Sequence, residues 1–478
     1  MMNSSISIGF LFSVFLVSFF TILCFSSKGY ALGGGEALDG HPHHHTVQLS
    51  SLLPSSVCSP STEDHSKKGS LKVVHKHGPC SHLNQGQANI PTTSRILTHD
   101  QSRVNSIHYR IGLNARQSDL DDSQATIPAK SGRSIGSGNY IVTVGVGSPK
   151  KDQSLIFDTG SDLTWIQCQP CLRSCYKQQE PIFNPSASKS YKNITCNSAE
   201  CSHLTAATGN TPGCSTSTCV YGIQYGDSSF SVGYFGTETL TLTASSVFPN
   251  YLFGCGQNNQ GLFGGAAGLL GLGRDQVSVV SQTASKFGKY FSYCLPSPSS
   301  SGTLSFGKAA TASSLQFTPL LQDSQFYYID ITGIKLGGKS LSISPTVFKT
   351  AGNIIDSGTV ITRLPPAAYT ALRAGFRQAM TKYPTASGVS ILDTCYDLSS
   401  YSTVSIPTVS FVFGGGVEVP LDVQGIVYPV KASQVCLAFA GNSAASDTGI
   451  FGNVQQQTLD VAYDVAGGKL GFGSGGCS

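Results

Sequence analysis

Alternation of apolar and polar residues is most regular after residue 138 and predicts a mainly β fold. Residues 140–146 (YIVTVGV) predict a strand, because β-branched and aromatic side chains recur along a short run bounded by glycines. Residues 326–343 predict a strand followed by a hairpin that turns at Gly337-Gly338.

Helical spacing of apolar residues is confined to a few short stretches. One helical stretch is expected around residues 96–111, a second from about Asp275 and a third from Pro365-Pro366, where proline suits the first turn of a helix. The apolar positions of the second and third are Val277, Val280, Ala284 and Phe287, and Tyr369, Leu372, Phe376 and Met380.

An internal repeat divides the body of the chain in two. Residues 155–161 (LIFDTGS) recur 198 positions later as residues 353–359 (NIIDSGT). An apolar element containing glycine follows each copy, at 269–273 (LLGLG) and at 450–453 (IFGN). The repeat predicts two related lobes.

Composition and charge exclude several classes of protein. Charged residues make up only 12% of the 478, which disfavours coiled coils and disorder, and Gly accounts for 53. The net charge is +4, with 30 Lys and Arg against 26 Asp and Glu and no basic run, so nucleic acid is not an expected partner.

Cysteine usage and the N-terminus predict an oxidising destination. The chain has 15 cysteines, more than a reducing compartment favours. Residues 6–25 are apolar and uncharged and precede a small-residue site, which is typical of a secretory signal, although no Lys or Arg precedes this run and its length approaches that of a membrane anchor. We expect a secreted, extracellular protein with no stable membrane anchor once the signal is removed.

Histidine distribution marks a separate N-terminal region. Ten of the 11 histidines lie between His41 and His108, and only His203 follows. The early region is Ser-, His- and Gln-rich and is interpreted as a removable propeptide. The body therefore lacks the ligands of a zinc site and the histidine of a convincing Ser-His-Asp triad, so we expect no metal and no cofactor.

The two repeated Asp turns can carry out acid–base chemistry if they face each other. Two carboxylates a few ångström apart cannot both ionise, so they share a proton. One can then deprotonate a water molecule while the other polarises a peptide carbonyl, which gives peptide hydrolysis without a covalent intermediate.

These motifs together resemble the pepsin-like aspartic proteases, specifically the plant nepenthesin-like branch, from about residue 128 to 478. Further matches are Trp165, seven residues after Asp158, the sequence Tyr225-Gly226-Asp227 on a predicted flap hairpin, and a cysteine-rich stretch between residues 168 and 219. The resemblance implies a bilobal fold of two β-rich lobes with an active-site cleft between them and few short helices. It also implies protein or peptide substrates, a monomer, and a zymogen active at acidic pH. For a plant protein, the expected destination is the apoplast, with the vacuole and then the plastid as alternatives.

The resemblance assigns roles to residues of both repeats. Asp158 and Asp356 would be the catalytic dyad, with Gly160 and Gly358 in their turns. Ser161 and Thr359 would donate to the outer carboxylate oxygens, Thr159 and Ser357 would join the turns, and Tyr225 would close over substrate with its hydroxyl on the Trp165 indole. This chain has Ser228 where family members usually have glycine, so we expect a different flap tip.

Six disulfides and one glycosylation site complete the predicted features. Composition alone leaves the pairing open; the resemblance suggests Cys168–Cys171, Cys175–Cys255, Cys196–Cys219, Cys201–Cys214, Cys294–Cys477 and Cys395–Cys436. Asn193 begins an Asn-Ile-Thr glycosylation acceptor.

The expected organisation is a signal peptide (1–31), a propeptide (32–127), an N-terminal lobe with the cysteine-rich insertion and flap (128–320), and a C-terminal lobe (321–478). Two other functions compete with an acid endopeptidase. One is a silent pepsin-fold binding protein similar to the plant xylanase inhibitors, which loss of either carboxylate would favour. The other is an adhesion or wall protein, which would leave the repeated Asp turns unexplained.

Overall fold

A computed structural model describes residues 43–53, 55–59, 70–84, 91–117, 139–225, 229–261, 263–308, 314–323 and 325–477. The predicted signal, the boundary between propeptide and body, and the flap tip including Ser228 lie outside these residues. The domain limits remain predictions. Among the described residues, no helix combines the length and apolar character that crossing a bilayer requires.

The N-terminal segment, by which we mean the described residues from 43 to 117, contains two strands and one long helix. Its elements are β1 (His44–Gln48), α1 (Leu49–Leu52), β2 (Ser70–His75), a 3-10 turn (His82–Asn84) and α2 (Thr93–Gln117). The helical stretch expected around 96–111 is therefore present and is longer than predicted.

The first half of the body is built from strands, with four short helices. The strands are β3 (Tyr140–Val146), β4 (Lys151–Asp158), β5 (Trp165–Gln167), β6 (Lys192–Asn193), β7 (Gly213–Ser215), β8 (Thr218–Gln224), β9 (Phe230–Thr243), β10 (Ser246–Gln260), β11 (Gly268–Gly271), β12 (Tyr290–Cys294) and β13 (Ser301–Phe306). The helices are α3 (Ala199–Ser202), α4 (Leu204–Thr208), α5 (Val279–Gln282) and α6 (Ala284–Phe287), and a 3-10 turn spans Pro185–Ala187.

The second half is also mainly β and contains the longest helix of the body. The strands are β14 (Gln316–Pro319), β15 (Tyr328–Ile329), β16 (Ile331–Leu336), β17 (Lys339–Ser340), β18 (Asn353–Ile355), β19 (Thr362–Leu364), β20 (Thr385–Ala386), β21 (Cys395–Asp397), β22 (Thr403–Pro407), β23 (Val409–Phe413), β24 (Val417–Pro420), β25 (Val427–Lys431), β26 (Gln434–Leu437), β27 (Phe439–Gly441), β28 (Gly449–Phe451), β29 (Leu459–Asp464) and β30 (Lys469–Ser474). The helices are α7 (Thr346–Lys349), α8 (Pro366–Ala379), α9 (Val423–Ile426) and α10 (Asn453–Gln456), with a 3-10 turn at Gly414–Gly416.

One large sheet joins the two halves of the body to the N-terminal segment. Its 15 strands run β14-β30-β29-β12-β13-β2-β3-β4-β11-β5-β10-β9-β8-β7, with β6 beside β9. Strand β2 lies inside this sheet, hydrogen-bonded to β13 on one side and to β3 on the other. Strand β1 pairs with β22 in the second half. The N-terminal segment is thus integrated into the body by backbone pairing.

The predicted mainly β class is confirmed, and most of the predicted elements are found. Strand β3 and helix α8 lie where the sequence places them. The prediction of a single helix from about Asp275 is wrong. Helix α5 begins at Val279, where Ser278 caps its N-terminus, and ends at Gln282. Thr283 has a backbone ψ of 7°, so a separate short helix begins at Ala284.

Seven disulfides connect the described cysteines, and two of the six predicted pairs, Cys294–Cys477 and Cys395–Cys436, are among them. A pair that we did not predict, Cys58–Cys80, lies wholly within the N-terminal segment. The segment is therefore linked to the body by no disulfide among the described cysteines.

Four predicted pairings in the cysteine-rich region are wrong. Cys168–Cys171 and Cys175–Cys255 are replaced by Cys168–Cys255 and Cys171–Cys175, because the Cys168 N–H donates to Gly256 O at 2.7 Å and brings Cys168 beside Cys255. Cys196–Cys219 and Cys201–Cys214 are replaced by Cys196–Cys214 and Cys201–Cys219. Cys214 and Cys219 face each other across β7 and β8; buried Cys219 bonds buried Cys201 in helix α3, which leaves exposed Cys214 for Cys196.

Candidate active site

The two repeated Asp residues lie at equivalent places in the two halves of the body. Asp158 ends β4, which runs parallel to β11, and its carbonyl accepts the Leu272 N–H at 2.9 Å. Asp356 follows β18, which runs parallel to β28, and its N–H donates to Phe451 O at 3.1 Å. The apolar elements that follow each repeat in sequence therefore pack directly beside the Asp strands.

Each turn directs hydrogen-bond donors at its own carboxylate. The Gly160 N–H donates to Asp158 Oδ1 at 2.9 Å, and the Gly358 N–H donates to Asp356 Oδ1 at 3.1 Å. The Thr359 hydroxyl donates to Asp356 Oδ2 at 2.5 Å, as expected. Ser161 is buried in the first turn, and its side chain helps to lower the pKa of Asp158.

Reciprocal hydrogen bonds join the two turns. The Ser357 N–H donates to Thr159 Oγ1 at 2.9 Å, and the Thr159 N–H donates to Ser357 Oγ at 3.1 Å. The glycines are required for this close approach. A Cβ on Gly358 would lie 2.5 Å from Asp158 Oδ1, a distance that real Cβ atoms do not tolerate.

A basic side chain from the N-terminal segment lies between the two carboxylates. Arg103, on helix α2, donates from Nη2 to Asp158 Oδ1 at 2.7 Å and to Asp356 Oδ2 at 2.9 Å. Its Nη1 donates to Asp158 Oδ2 at 3.1 Å, and its Nε donates to Asp356 Oδ2 at 3.0 Å. Only 12% of the Arg103 side chain is exposed, so these are buried, charge-assisted bonds of the stronger kind.

Burial and Arg103 act in opposite directions on the ionisation of the pair. For Asp158, burial opposes the charged form but the guanidinium outweighs it, and the pKa is lowered. For Asp356, burial and the negative charge of Asp158 prevail over Arg103, and the pKa is raised. Burial disfavours the Arg103 cation, yet the two carboxylates raise its pKa above the ordinary value. The guanidinium therefore stays charged.

A second arginine of helix α2 contacts the first Asp turn. Arg110 donates from Nη2 to the Gly160 carbonyl at 2.8 Å, and its guanidinium lies 4.7 Å from the centre of the Phe326 ring. Beside this turn, burial raises the pKa of Asp162 to about 7, while the Asp275 N–H donates to the Asp162 carboxylate at 2.8 Å. Asp162 thus anchors the loop that leads to α5.

Trp165 and Tyr225 meet as expected. The Trp165 indole N–H donates to the Tyr225 hydroxyl at 2.7 Å, and Trp165 is fully buried at the start of β5. Phe263 packs edge-on against Trp165 with ring centres 5.0 Å apart. Tyr225 is therefore held at the base of the predicted flap, whose tip is outside the described residues.

Asn193 is exposed on β6, where the Tyr191 hydroxyl donates to its side-chain oxygen at 2.7 Å. The site is accessible, and its glycosylation remains a prediction. The described residues contain no group of three or more His, Cys, Asp or Glu side chains placed to hold a metal ion.

Sequence patterns do not indicate the role of Arg103, because one arginine on a helix has no distinguishing pattern. The helix expected at 96–111 does carry a related signal. Its apolar spacing predicts that one face of the helix packs against another surface. Leu97, Val104 and Ile107 supply that apolar face, and they are buried against the body.

Comparisons with known proteins cover most of the body of the chain. The family description "Xylanase inhibitor N-terminal" matches residues 140–308, and "Xylanase inhibitor C-terminal" matches residues 326–474. An aspartyl protease family protein of Arabidopsis thaliana is 59% identical over 91% of this chain and 93% of its own length. The chain belongs to the pepsin-like aspartic protease family. Aspartic proteinase nepenthesin-2 of Nepenthes gracilis is 40% identical over 70% of this chain and 77% of its own length.

Solved structures support the same fold. The structure of basic 7S globulin from soybean matches with a TM-score of 0.56 and 22% identity, covering 70% of this chain and 93% of that one. Edgp matches with a TM-score of 0.58 and 20% identity, covering 70% of this chain and 91% of that one.

As a pepsin-like aspartic protease, the chain is a peptide hydrolase that acts on protein or peptide substrates.

Proposed function

We propose that the chain is made as an inactive precursor of a secreted acid endopeptidase, with Asp158 and Asp356 as its catalytic dyad and the N-terminal segment as its inhibitor. The observation that carries this proposal is the position of Arg103, whose guanidinium contacts both carboxylates. A water molecule and a peptide carbonyl cannot reach the pair while that side chain is in place.

Once the N-terminal segment leaves, the two carboxyls share one proton because each is buried and close to the other. The ionised carboxylate takes a proton from water as the water attacks the peptide carbonyl, and the protonated carboxyl donates to the carbonyl oxygen. Collapse of the tetrahedral intermediate with proton transfer to the leaving nitrogen gives a carboxylic acid and an amine. No covalent bond to the enzyme forms.

Acidification favours release of the N-terminal segment. Arg103 holds the pKa of Asp158 below its ordinary value, so that pKa rises when the guanidinium leaves. We call the precursor closed while Arg103 contacts the dyad and open once the N-terminal segment has moved away. The open form therefore binds more protons than the closed form. The closed form loses stability as the pH falls through the range in which the open dyad takes up a proton.

Secretion is supported by the seven disulfides of the described residues, since such bonds persist in oxidising compartments. The silent, xylanase-inhibitor-like alternative is disfavoured because both carboxylates, their glycines and the reciprocal Thr159–Ser357 bonds are retained.

The test uses the purified full-length chain, which is held at neutral pH and then acidified. We expect no cleavage of denatured haemoglobin until the N-terminal segment has been cut away, as followed by gel electrophoresis, and rapid cleavage afterwards. The Asp356→Asn chain should remain intact and inactive. An uncut chain that digests haemoglobin at the full rate would contradict the precursor proposal, and a processed chain that digests nothing would contradict the endopeptidase itself.

A further inference from the structure

Helix α2 places an acidic side chain in a buried position one helical turn before Arg103. Asp100 has no exposed surface. One of its oxygens accepts the Val360 N–H at 2.6 Å, and the other accepts the Ile361 N–H at 3.1 Å. The carboxylate is therefore hydrogen-bonded to the main chain of the body immediately after the second Asp turn.

An arginine of the body completes this carboxylate-binding position. Arg363 Nη2 donates to the second Asp100 oxygen at 2.9 Å, and its Nη1 donates to Ile361 O at 2.6 Å. Its side chain is 1% exposed, and its Nε has no hydrogen-bond partner among the described residues. Burial lowers the pKa of Arg363, and Asp100 opposes that shift.

The groups that hold Asp100 belong to the body and not to the helix. Val360 and Ile361 follow Thr359, whose hydroxyl contacts the dyad. Arg363 lies in β19, which pairs with β27 on one side and with β28 on the other. These strands hold Arg363, and the Val454 N–H donates to Val360 O at 3.1 Å, so the three groups keep their arrangement when helix α2 departs.

Departure of the helix leaves these groups without a partner. A buried guanidinium and two N–H groups that lose their carboxylate carry a large desolvation cost, which another anion can relieve. Arginine with two main-chain donors suits the two oxygens of a carboxylate in particular.

We propose that the Val360 and Ile361 N–H groups and the Arg363 guanidinium form a subsite of the mature enzyme that binds an acidic side chain of the peptide substrate. This inference rests on the proposed function, because the subsite becomes accessible only when the N-terminal segment leaves the dyad. Asp100 then acts in the precursor as a built-in imitation of that substrate side chain.

The helix also indicates how far this subsite lies from the bond that is cut. Asp100 precedes Arg103 by three residues, which is about 4.5 Å along a helix axis. An extended substrate advances roughly 3.3 Å per residue, so the acidic residue lies within about three residues of the scissile bond.

The test compares substrates of the acid-processed wild-type enzyme at about pH 5, above the ordinary pKa of Asp and Glu side chains. A set of otherwise identical peptides carries Glu or its uncharged isostere Gln at each of the three positions on either side of one cleavage site. We expect kcat/KM to be about 10-fold higher or more for Glu than for Gln at one position, from the charge-assisted bonds that only Glu makes.

Variants then assign the preference to Arg363. Arg363→Met should reduce the Glu/Gln ratio to about 1, and Arg363→Lys should retain part of it because a point charge remains. Arg373→Met is the matched control: Arg373 pairs with Asp393 on the surface, and its loss should leave the ratio unchanged. Asp100→Asn is a further variant that leaves the processed body intact and should shorten the delay before acid processing.

Equal rates for Glu and Gln at every position in the wild-type enzyme, with haemoglobin still digested, would overturn this subsite and leave the endopeptidase standing. This result needs no variant to fold. An Arg363→Met enzyme that digests haemoglobin and keeps the full ratio would overturn the assignment to Arg363. If neither haemoglobin nor any peptide is cleaved, the proposed function fails and the subsite fails with it.

Discussion

Replacing Arg103 with methionine should release the dyad while the N-terminal segment is still attached. Methionine keeps an unbranched apolar stem but removes the guanidinium that contacts both carboxylates. The pairs of β1 and β2 with the body are untouched, so the segment stays bound through its strands. The substitution therefore separates occlusion of the dyad from attachment of the segment.

The expected magnitude follows from the burial of the ion pairs. Breaking a buried ion pair typically costs about 3–5 kcal/mol, and here the lower end applies because the two carboxyls can relieve their repulsion by sharing a proton. A loss of about 3 kcal/mol increases the population of the open form roughly 100-fold, since 1.36 kcal/mol corresponds to a factor of ten.

The assay measures cleavage of a fluorogenic peptide by the precursor before any processing is visible on a gel. We expect the Arg103→Met precursor to cleave about 100-fold faster than the wild-type precursor at the same pH. Arg95→Met is the matched control, because Arg95 is exposed on the same helix. An Arg103→Met precursor as inactive as the wild type, but activated on removal of its segment, would refute the reasoning.

Three further predictions concern the processed enzyme. Its pH–rate profile should be bell-shaped with an acidic maximum, because a dyad that shares one proton works only in its singly ionised form; a maximum above neutrality would contradict this. Tyr225→Phe removes the hydroxyl that the Trp165 indole contacts at 2.7 Å and should lower kcat/KM roughly 2- to 10-fold in a peptide assay, so an unchanged value would argue against the contact. Gly358→Ala brings a Cβ to 2.5 Å from Asp158 Oδ1 and should lower kcat about 100-fold or more. Gly333→Ala is the control and should not lower kcat, because its Cβ meets no atom within 4 Å. Equal kcat values for the two variants would show that the two Asp turns can move apart without loss of activity.

Local sequence patterns predicted the body of this fold well. The repeated Asp turns lie at the ends of equivalent strands, because an apolar run that stops at Asp-Thr-Gly or Asp-Ser-Gly specifies both the buried strand and the tight turn. The Thr159–Ser357 bonds and the Trp165–Tyr225 contact follow from the resemblance to the pepsin-like proteases and not from a local pattern alone.

Features that depend on contacts between distant segments could not be predicted in the same way. The pairing of cysteines in the cysteine-rich region depends on which faces of β7, β8 and α3 meet. The spacing of the cysteines in the sequence does not specify those faces. The contacts of Asp100 and Arg103 depend on how helix α2 packs against residues that are distant in the sequence. Arg103 and Asp158, for example, are 55 positions apart. A helix of that kind shows its apolar spacing in the sequence, but not its partner.

The central claim is that Asp158 and Asp356 together cleave peptide bonds, and it is tested most directly by single amide substitutions. Wild-type, Asp158→Asn and Asp356→Asn bodies would each be released from the N-terminal segment by an added protease and checked for folding by circular dichroism. Digestion of denatured haemoglobin would then be measured at acidic pH. We predict rapid digestion by the wild type and none by either folded variant, because the two carboxyls act as a unit. Substantial digestion by either variant would contradict the account.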